Sequence, residues 1–169
     1  MAIKVFRTKP FVLDGDTILS WQNGERIIYR IRWIDTPETK SARDEVKTEH
    51  DENQWMWGEL AKSYLIDYVQ SSNCVIYVEK GLDLYGRTLI DLYRNIKTIQ
   101  TNYQRLISEA GLSAAYFLPF PQNIDLSPRE EITIYCHILR RQYEARIRKR
   151  GIWGDPDFLL PWEWRRLKR

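Results

Sequence analysis

Asn23-Gly24 is the feature that most limits what this chain can become. An Asn-Gly pair between two β-rich runs fits a two-residue turn in which both residues take positive φ, and it ties the flanking strands into an antiparallel hairpin. Those flanking runs are Thr17 to Trp21 and Glu25 to Ile34. Upstream, residues 3–13 are rich in Val, Phe and Thr-type residues and read as a further strand. Asp14-Gly15 supplies the turn between that strand and the hairpin. The opening of the chain is therefore predicted to be a three-stranded antiparallel meander.

Beyond it, residues 35–53 are polar and charged, and Thr36-Pro37 disfavours helix at their start, so a mobile loop is expected there. Trp57, Leu60, Ala61, Tyr64, Leu65 and Tyr68 recur with helical period and predict a helix of about four turns. Cys74 to Glu79 and Arg87 to Tyr93 are β runs around a Gly-flanked turn, a second hairpin. Tyr103, Leu106, Ile107 and Ala110 mark a short helix closed by Gly111. Ser127-Pro128-Arg129-Glu130 is a capping box with Pro at the first helical position. It opens a helix whose stripe is Ile134, Tyr135, Ile138, Leu139, Gln142 and Ala145, running toward Gly151. Three strands, a helix, two strands and two helices predict an α+β fold, a five-stranded OB-type β-barrel with about three helices. Residues 1–153 are expected to form that domain, and residues 154–169 an irregular aromatic and basic extension packed on it.

With 169 residues and 43% apolar content, the chain suits one domain with a substantial core. No apolar run approaches the roughly 20 residues that cross a bilayer, so no membrane association is expected. The first ten residues lack the apolar stretch of a signal peptide. The expectation is a cytoplasmic protein, or a secreted one whose leader has been removed. Residues 1–138 carry 16 Lys/Arg against 19 Asp/Glu, whereas residues 139–169 carry 10 against 4. A basic tail suits a polyanionic partner, and equally a solvated helix face. Cys74 and Cys136 are predicted to be buried free thiols. His50 and His137 have no ligand-like spacing with either, which argues against zinc.

Carboxylates and arginines gather on three separated turns: Asp14-Gly15-Asp16-Thr17, the run from Arg30 to Glu38, and Asp83-Leu84-Tyr85-Gly86-Arg87. Each motif alone is an ordinary turn. Together they supply what metal-assisted attack on a phosphodiester needs, oxygen ligands for a hard cation and guanidinium groups for the phosphate. Strand alternation puts Arg30 and Arg32 on one face and Asp35 on the other. Convergence of Arg30 with Asp35 requires the strand to twist, bulge or end between them; cross-strand ion pairing is the alternative for the arginines.

In order and spacing, these motifs resemble the staphylococcal nuclease-like (thermonuclease) family over residues 3–153, with weaker matches at Trp57 to Ala61, Leu106 to Leu112 and Gly151-Ile152-Trp153. The resemblance implies a monomeric Ca²⁺-dependent endonuclease that cleaves DNA and RNA and leaves 3′-phosphate ends. It implies Asp16 and Asp35 as carboxylate ligands, with the Thr36 carbonyl beside them. Glu38 would orient or deprotonate water, Arg30 and Arg87 would grip the scissile phosphate, and Tyr85 and Tyr116 would contact substrate, with Phe117 an alternative to Tyr116. A non-catalytic nucleic-acid or protein-binding module on the same barrel is the rival. The acidic stretch with Asp44, Glu45, Glu49, Asp51 and Glu52 is expected to repel a polyanion near the site.

Overall fold

The computed structural model describes residues 3–42, 44–117 and 128–168. In chain order the strands are β1 (Ile3–Val5), β2 (Phe11–Asp14), β3 (Thr17–Gln22), β4 (Glu25–Ile31), β5 (Ile34–Asp35), β6 (Ile76–Leu82), β7 (Thr88–Tyr93) and β8 (Ala114–Ala115). The helices are α1 (Glu49–Gln70), α2 (Tyr103–Ala110), α3 (Pro128–Ile147) and α4 (Pro161–Leu167). The α+β class stands. An OB-type arrangement remains consistent with it, but the five-stranded barrel with about three helices is corrected: among the described residues there are four helices, six strands form one unclosed sheet in the order β1-β6-β7-β4-β3-β2, and β5 pairs separately with β8. Its edge strands β1 and β2 come from the single strand predicted over residues 3–13. Pro10 lies between them; without an N–H it cannot continue a ladder, and the two halves join opposite ends of the sheet.

The predicted meander is present as β2-β3-β4, with Gln22 opposite Glu25 across the hairpin. Asn23 and Gly24 take φ of 51° and 84°, the two-residue turn their identities favour. The second hairpin, β6-β7, is antiparallel, and β7 also lies parallel to β4. Ile18, Tyr29, Ile31, Ile90 and Leu92 of the sheet bury against Ala61, Leu65 and Val69 of α1 and Tyr103 and Ile107 of α2. Replacing Leu65, which is fully buried, by Ala would remove about 2–5 kcal/mol of that packing.

Helix α1 begins inside the segment expected to be a loop and spans 22 residues. Thr48 and Asp51 form its capping box. Its buried line runs through Asp51, Gln54, Trp55, Gly58, Ala61, Leu65 and Tyr68, while Leu60 of the predicted face is 46% exposed. The additional N-terminal turns pack against the C-terminal segment: Gln54 donates to the Leu159 carbonyl at 3.2 Å and Trp57 to Asp155 at 2.9 Å.

Gly111 ends α2 with φ 76°, as its type and place predict. A Cβ there would stand 2.2 Å from the Arg150 carbonyl oxygen, so this glycine also lets the chain after α3 pass against it. In α3, Ile134, Ile138 and Ala145 are buried, but Leu139 faces out. Ser127 of the expected capping box lies outside the described residues. Both cysteines are free, yet both are exposed, contrary to expectation. Cys74 precedes the first inward residue of its run, Val75, and Cys136 sits on the outer side of α3 between Ile134 and Ile138. The segment expected to be irregular contains helix α4, and a 3-10 turn, Gly151–Gly154, leads into it. Among the described residues, no helix is long and apolar enough to cross a membrane.

Candidate active site

Strand β4 stops at Ile31, and Trp33 adopts φ 68°. That one left-handed residue resets strand alternation and brings Asp35 back toward Arg30. Such a conformation costs a bulky residue roughly 1–3 kcal/mol. Aromatic packing opposes the cost, because the Trp33 ring lies tilted against Phe117 at 5.3 Å and Tyr135 at 5.2 Å. The result is that Arg30 Nη2 donates to Asp35 Oδ1 and to the Ile34 carbonyl, both at 3.0 Å. Arg32, expected on the same face, diverges. It is fully buried and grips Asp91 of β7 at 2.7 and 2.6 Å. One arginine thus enters the site, and the other takes the cross-strand pairing.

The β2–β3 turn supplies the next acids. Asp14 Oδ1 accepts from the Asp16 amide at 3.0 Å, folding the turn on itself. Gly15 permits close approach, since a Cβ there would lie 2.7 Å from Ala61 Cβ. Asp16 then points at the start of the next loop. Its Oδ2 accepts from the Thr36 amide at 2.9 Å and the Thr36 hydroxyl at 3.0 Å, while its Oδ1 faces the Arg30 guanidinium. Arg30 therefore bridges two acids from separate turns. Burial pushes the Asp14 carboxyl upward, opposed chiefly by Arg30, and burial likewise lowers the pKa of Arg30.

Glu38 follows Pro37 and lies against α1 at Gly58. A Cβ on Gly58 would stand 2.0 Å from the Glu38 carbonyl oxygen and 2.4 Å from its carbonyl carbon. These are backbone atoms, so relief requires the loop itself to move. Gly58→Ala is expected to shift the loop bearing Glu38 away from α1 and to lower any activity that uses Glu38 at least tenfold, because misplacement by about an ångström costs that much or more. Steady-state rates of Gly58→Ala beside its melting temperature would check this; unchanged rates would show that the loop accommodates a methyl.

Arg87 immediately precedes β7 and is held by Asp83 Oδ2 at 2.6 Å. Tyr85 is 80% exposed, and Arg87 lies 5.4 Å from its ring centre. Tyr116 directly follows β8, which pairs with β5, and its amide donates to the Trp33 carbonyl at 3.0 Å. Tyr116 faces the cleft, whereas Phe117 packs on Trp33 and Tyr135. All eight residues singled out from sequence border one cleft of about 650 Å³: Asp16, Arg30, Asp35, Thr36, Glu38, Tyr85, Arg87 and Tyr116.

Five further residues line it: Asp14, Thr17, Trp162, Arg165 and Arg166. Asp14 and Thr17 belong to the recognised turn. The other three belong to α4, whose only sequence signal is an aromatic and basic run, Trp162-Glu163-Trp164-Arg165-Arg166. Arg165 reaches Asp35 Oδ2 at 2.5 Å and Glu38 Oε1 at 2.6 Å. Burial raises the Glu38 carboxyl above the usual glutamate range, and Arg165 is the main group opposing that shift. The cleft thus balances Asp14, Asp16, Asp35 and Glu38 against Arg30, Arg87, Arg165 and Arg166.

The acidic stretch after Thr39 does not border this cleft. Asp44, Glu45 and Asp51 line a second cavity of about 380 Å³ together with Lys47 and Lys168. Asp51 is buried. Burial alone would raise its carboxyl, but the Lys47 amide, Lys168, the Trp164 indole and the Thr48 amide outweigh it and hold the pKa well below normal. Of the five acids expected to repel a polyanion, none borders the cleft, and Asp51 is paired with Lys168 at 3.1 Å.

Among the described residues, no three His, Cys, Asp or Glu side chains form a ready-made metal cluster. The donor set at Asp16, Asp35 and Thr36 is nevertheless all oxygen and sits at the mouth of two arginine-bridged turns. That chemistry fits a hard cation that keeps several of its waters.

The model of the staphylococcal nuclease homologue family matches residues 29–155. A micrococcal nuclease of Shigella flexneri is 29% identical over 164 residues, covering 94% of this chain and 79% of the relative. An uncharacterized endonuclease of Escherichia coli O157:H7 is 29% identical over 157 residues, covering 93% and 82%. Endonuclease YncB of Bacillus subtilis (strain 168) is 29% identical over 150 residues, covering 87% of this chain and 61% of the relative. With three quarters of its length under the family model, and the three acid- and arginine-bearing turns closing on one cleft, this chain belongs to the staphylococcal nuclease homologue family.

Proposed function

We propose that the protein is a Ca²⁺-dependent endonuclease that hydrolyses phosphodiester bonds of DNA and RNA and leaves 3′-phosphate ends. The observation that carries this is the convergence of Asp16, Asp35, Glu38, Arg30 and Arg87 on one cleft. The names of the nuclease relatives support it.

Asp16, Asp35 and the Thr36 carbonyl would hold the cation, which supplies electrostatic stabilisation of phosphoryl oxygens when bound. Glu38 takes the proton of the attacking water. Its raised pKa suits that task, because a base closer to working pH accepts a proton more readily. Attack at phosphorus adds negative charge to the phosphoryl oxygens. Arg30, held rigid by Asp16 and Asp35, and Arg87, on the opposite turn, present forked donors to those oxygens. Cleavage of the P–O5′ bond leaves the phosphate on the 3′ side, and the departing 5′-oxygen takes a proton from solvent to become a hydroxyl. Tyr85 and Tyr116 border the cleft where flanking phosphate and sugar would lie.

Incubation with single-stranded DNA and with RNA in Ca²⁺, with and without chelator, tests this reading. The expected result is chelator-sensitive shortening, with 3′ ends that become extendable only after phosphatase treatment. A gel shift without shortening would overturn it in favour of the binding module.

A further inference from the structure

Arg165 does not belong to any of the motifs that identify the family, and it lies outside the matched residues 29–155. Yet it makes the most direct contacts to the acids of the cleft. Its Nη2 engages Asp35 Oδ2 at 2.5 Å, and its Nη1 engages Glu38 Oε1 at 2.6 Å. Arg30 already holds the other oxygen of Asp35 at 3.0 Å. Both oxygens of this 2%-exposed carboxylate are therefore taken by guanidinium groups.

Delivery of Arg165 is built into α4. Trp164 donates to buried Asp51 at 2.7 Å, fixing the helix to the start of α1. Trp162 stacks on Tyr116, with ring centres 5.3 Å apart and planes 28° apart, fixing it to the far wall of the cleft. Glu163 caps the helix through the Leu160 amide at 3.0 Å. A side chain between two such anchors is placed, whereas an exposed arginine on a free tail would lose rotamer entropy for little gain.

The geometry points to Arg165 as an internal competitor for the cation, a residue that sets how much divalent ion the site needs. This rests on the cation site of the proposed function. A divalent ion on Asp35 and the Arg165 guanidinium claim the same carboxylate oxygen. They carry like charge a few ångströms apart, in a cleft where screening is weaker than in water. One must withdraw for the other to settle. While Arg165 stays, it also occupies Glu38 Oε1 at 2.6 Å. Withdrawal of Arg165 thus frees both acids together.

Calorimetric titration of Ca²⁺ into the wild-type protein and Arg165→Gln, without substrate, reads the competition directly. Arg165→Gln is expected to bind Ca²⁺ about tenfold more tightly. Equal or weaker binding by that variant overturns the inference while leaving the cation site intact. Absence of binding to either protein overturns the cation site itself, and the inference with it. A second measurement needs no substitution: NMR exchange of the Arg165 guanidinium protons in the wild-type protein. Saturating Ca²⁺ is expected to speed that exchange several-fold, and unchanged or slower exchange would show that Arg165 keeps its partners and does not compete.

Discussion

Glu38→Gln is expected to lower phosphodiester cleavage by about a hundredfold or more, the usual range for loss of a positioned base, while the fold persists. Glutamine keeps the length and shape of the side chain, so the close passage of this loop over Gly58 is undisturbed. What disappears is the ability to take a proton from water. The ion pair with Arg165 also goes, but both side chains are 35% exposed, and pairs of that kind contribute little to stability. The loss is expected in kcat with KM nearly unchanged, because substrate contacts lie on Arg30, Arg87 and the tyrosines. pH supplies an independent check. The base works ionised, so the wild-type rate falls as pH drops through the Glu38 pKa. Since burial raises that pKa, the fall begins above the usual glutamate range. The variant should lack this acid limb. Initial rates on single-stranded DNA across pH, with circular dichroism as the fold check, decide the matter; near-wild-type rates would remove Glu38 from its role.

Which parts of this site could be read in the sequence follows from how local their causes are. The Asn23-Gly24 turn and the Gly111 helix stop depend on a few residues with special backbone freedom, and both stand where they were predicted. The order of acid- and arginine-bearing turns was equally visible, because it rests on motif spacing. The means of convergence was not. Trp33 is β-prone, and no composition rule would place it at φ 68°; the rings it packs against are more than 80 residues away in sequence. Arg32 shows the same limit. Two arginines two apart looked equivalent, and only the end of β4 between them separates a buried ion pair from a site residue. The role of α4 was hidden for a further reason. Arg165 and its partners Asp35 and Glu38 lie more than 120 residues apart, so neither periodicity nor spacing could connect them.

Arg32→Met is expected to be the most damaging substitution for stability, at about 3–5 kcal/mol, the cost of leaving one member of a buried ion pair without the other. Arg32 and Asp91 are each at most 1% exposed and joined by two short hydrogen bonds across β4 and β7. Methionine fills most of the volume of the arginine stem, so the loss is electrostatic more than a matter of packing. Asp91 would retain Gln104, which donates at 2.9 Å, and Lys80 at 3.8 Å, but the bidentate partner would be gone. For a domain of this size 1 kcal/mol corresponds to about 2–4 °C, so the melting temperature should fall by roughly 6–20 °C. Arg32→Met combined with Asp91→Leu separates the two possible causes. If the stranded carboxylate is at fault, the double variant recovers a large part of the stability, because a buried ion pair replaced by apolar groups is often neutral. If lost packing is at fault, the double variant is worse than the single. Denaturant unfolding of the four proteins in this cycle measures the coupling, and a loss below about 1 kcal/mol in Arg32→Met would mean that the β4–β7 pair does not hold the sheet beneath the cleft.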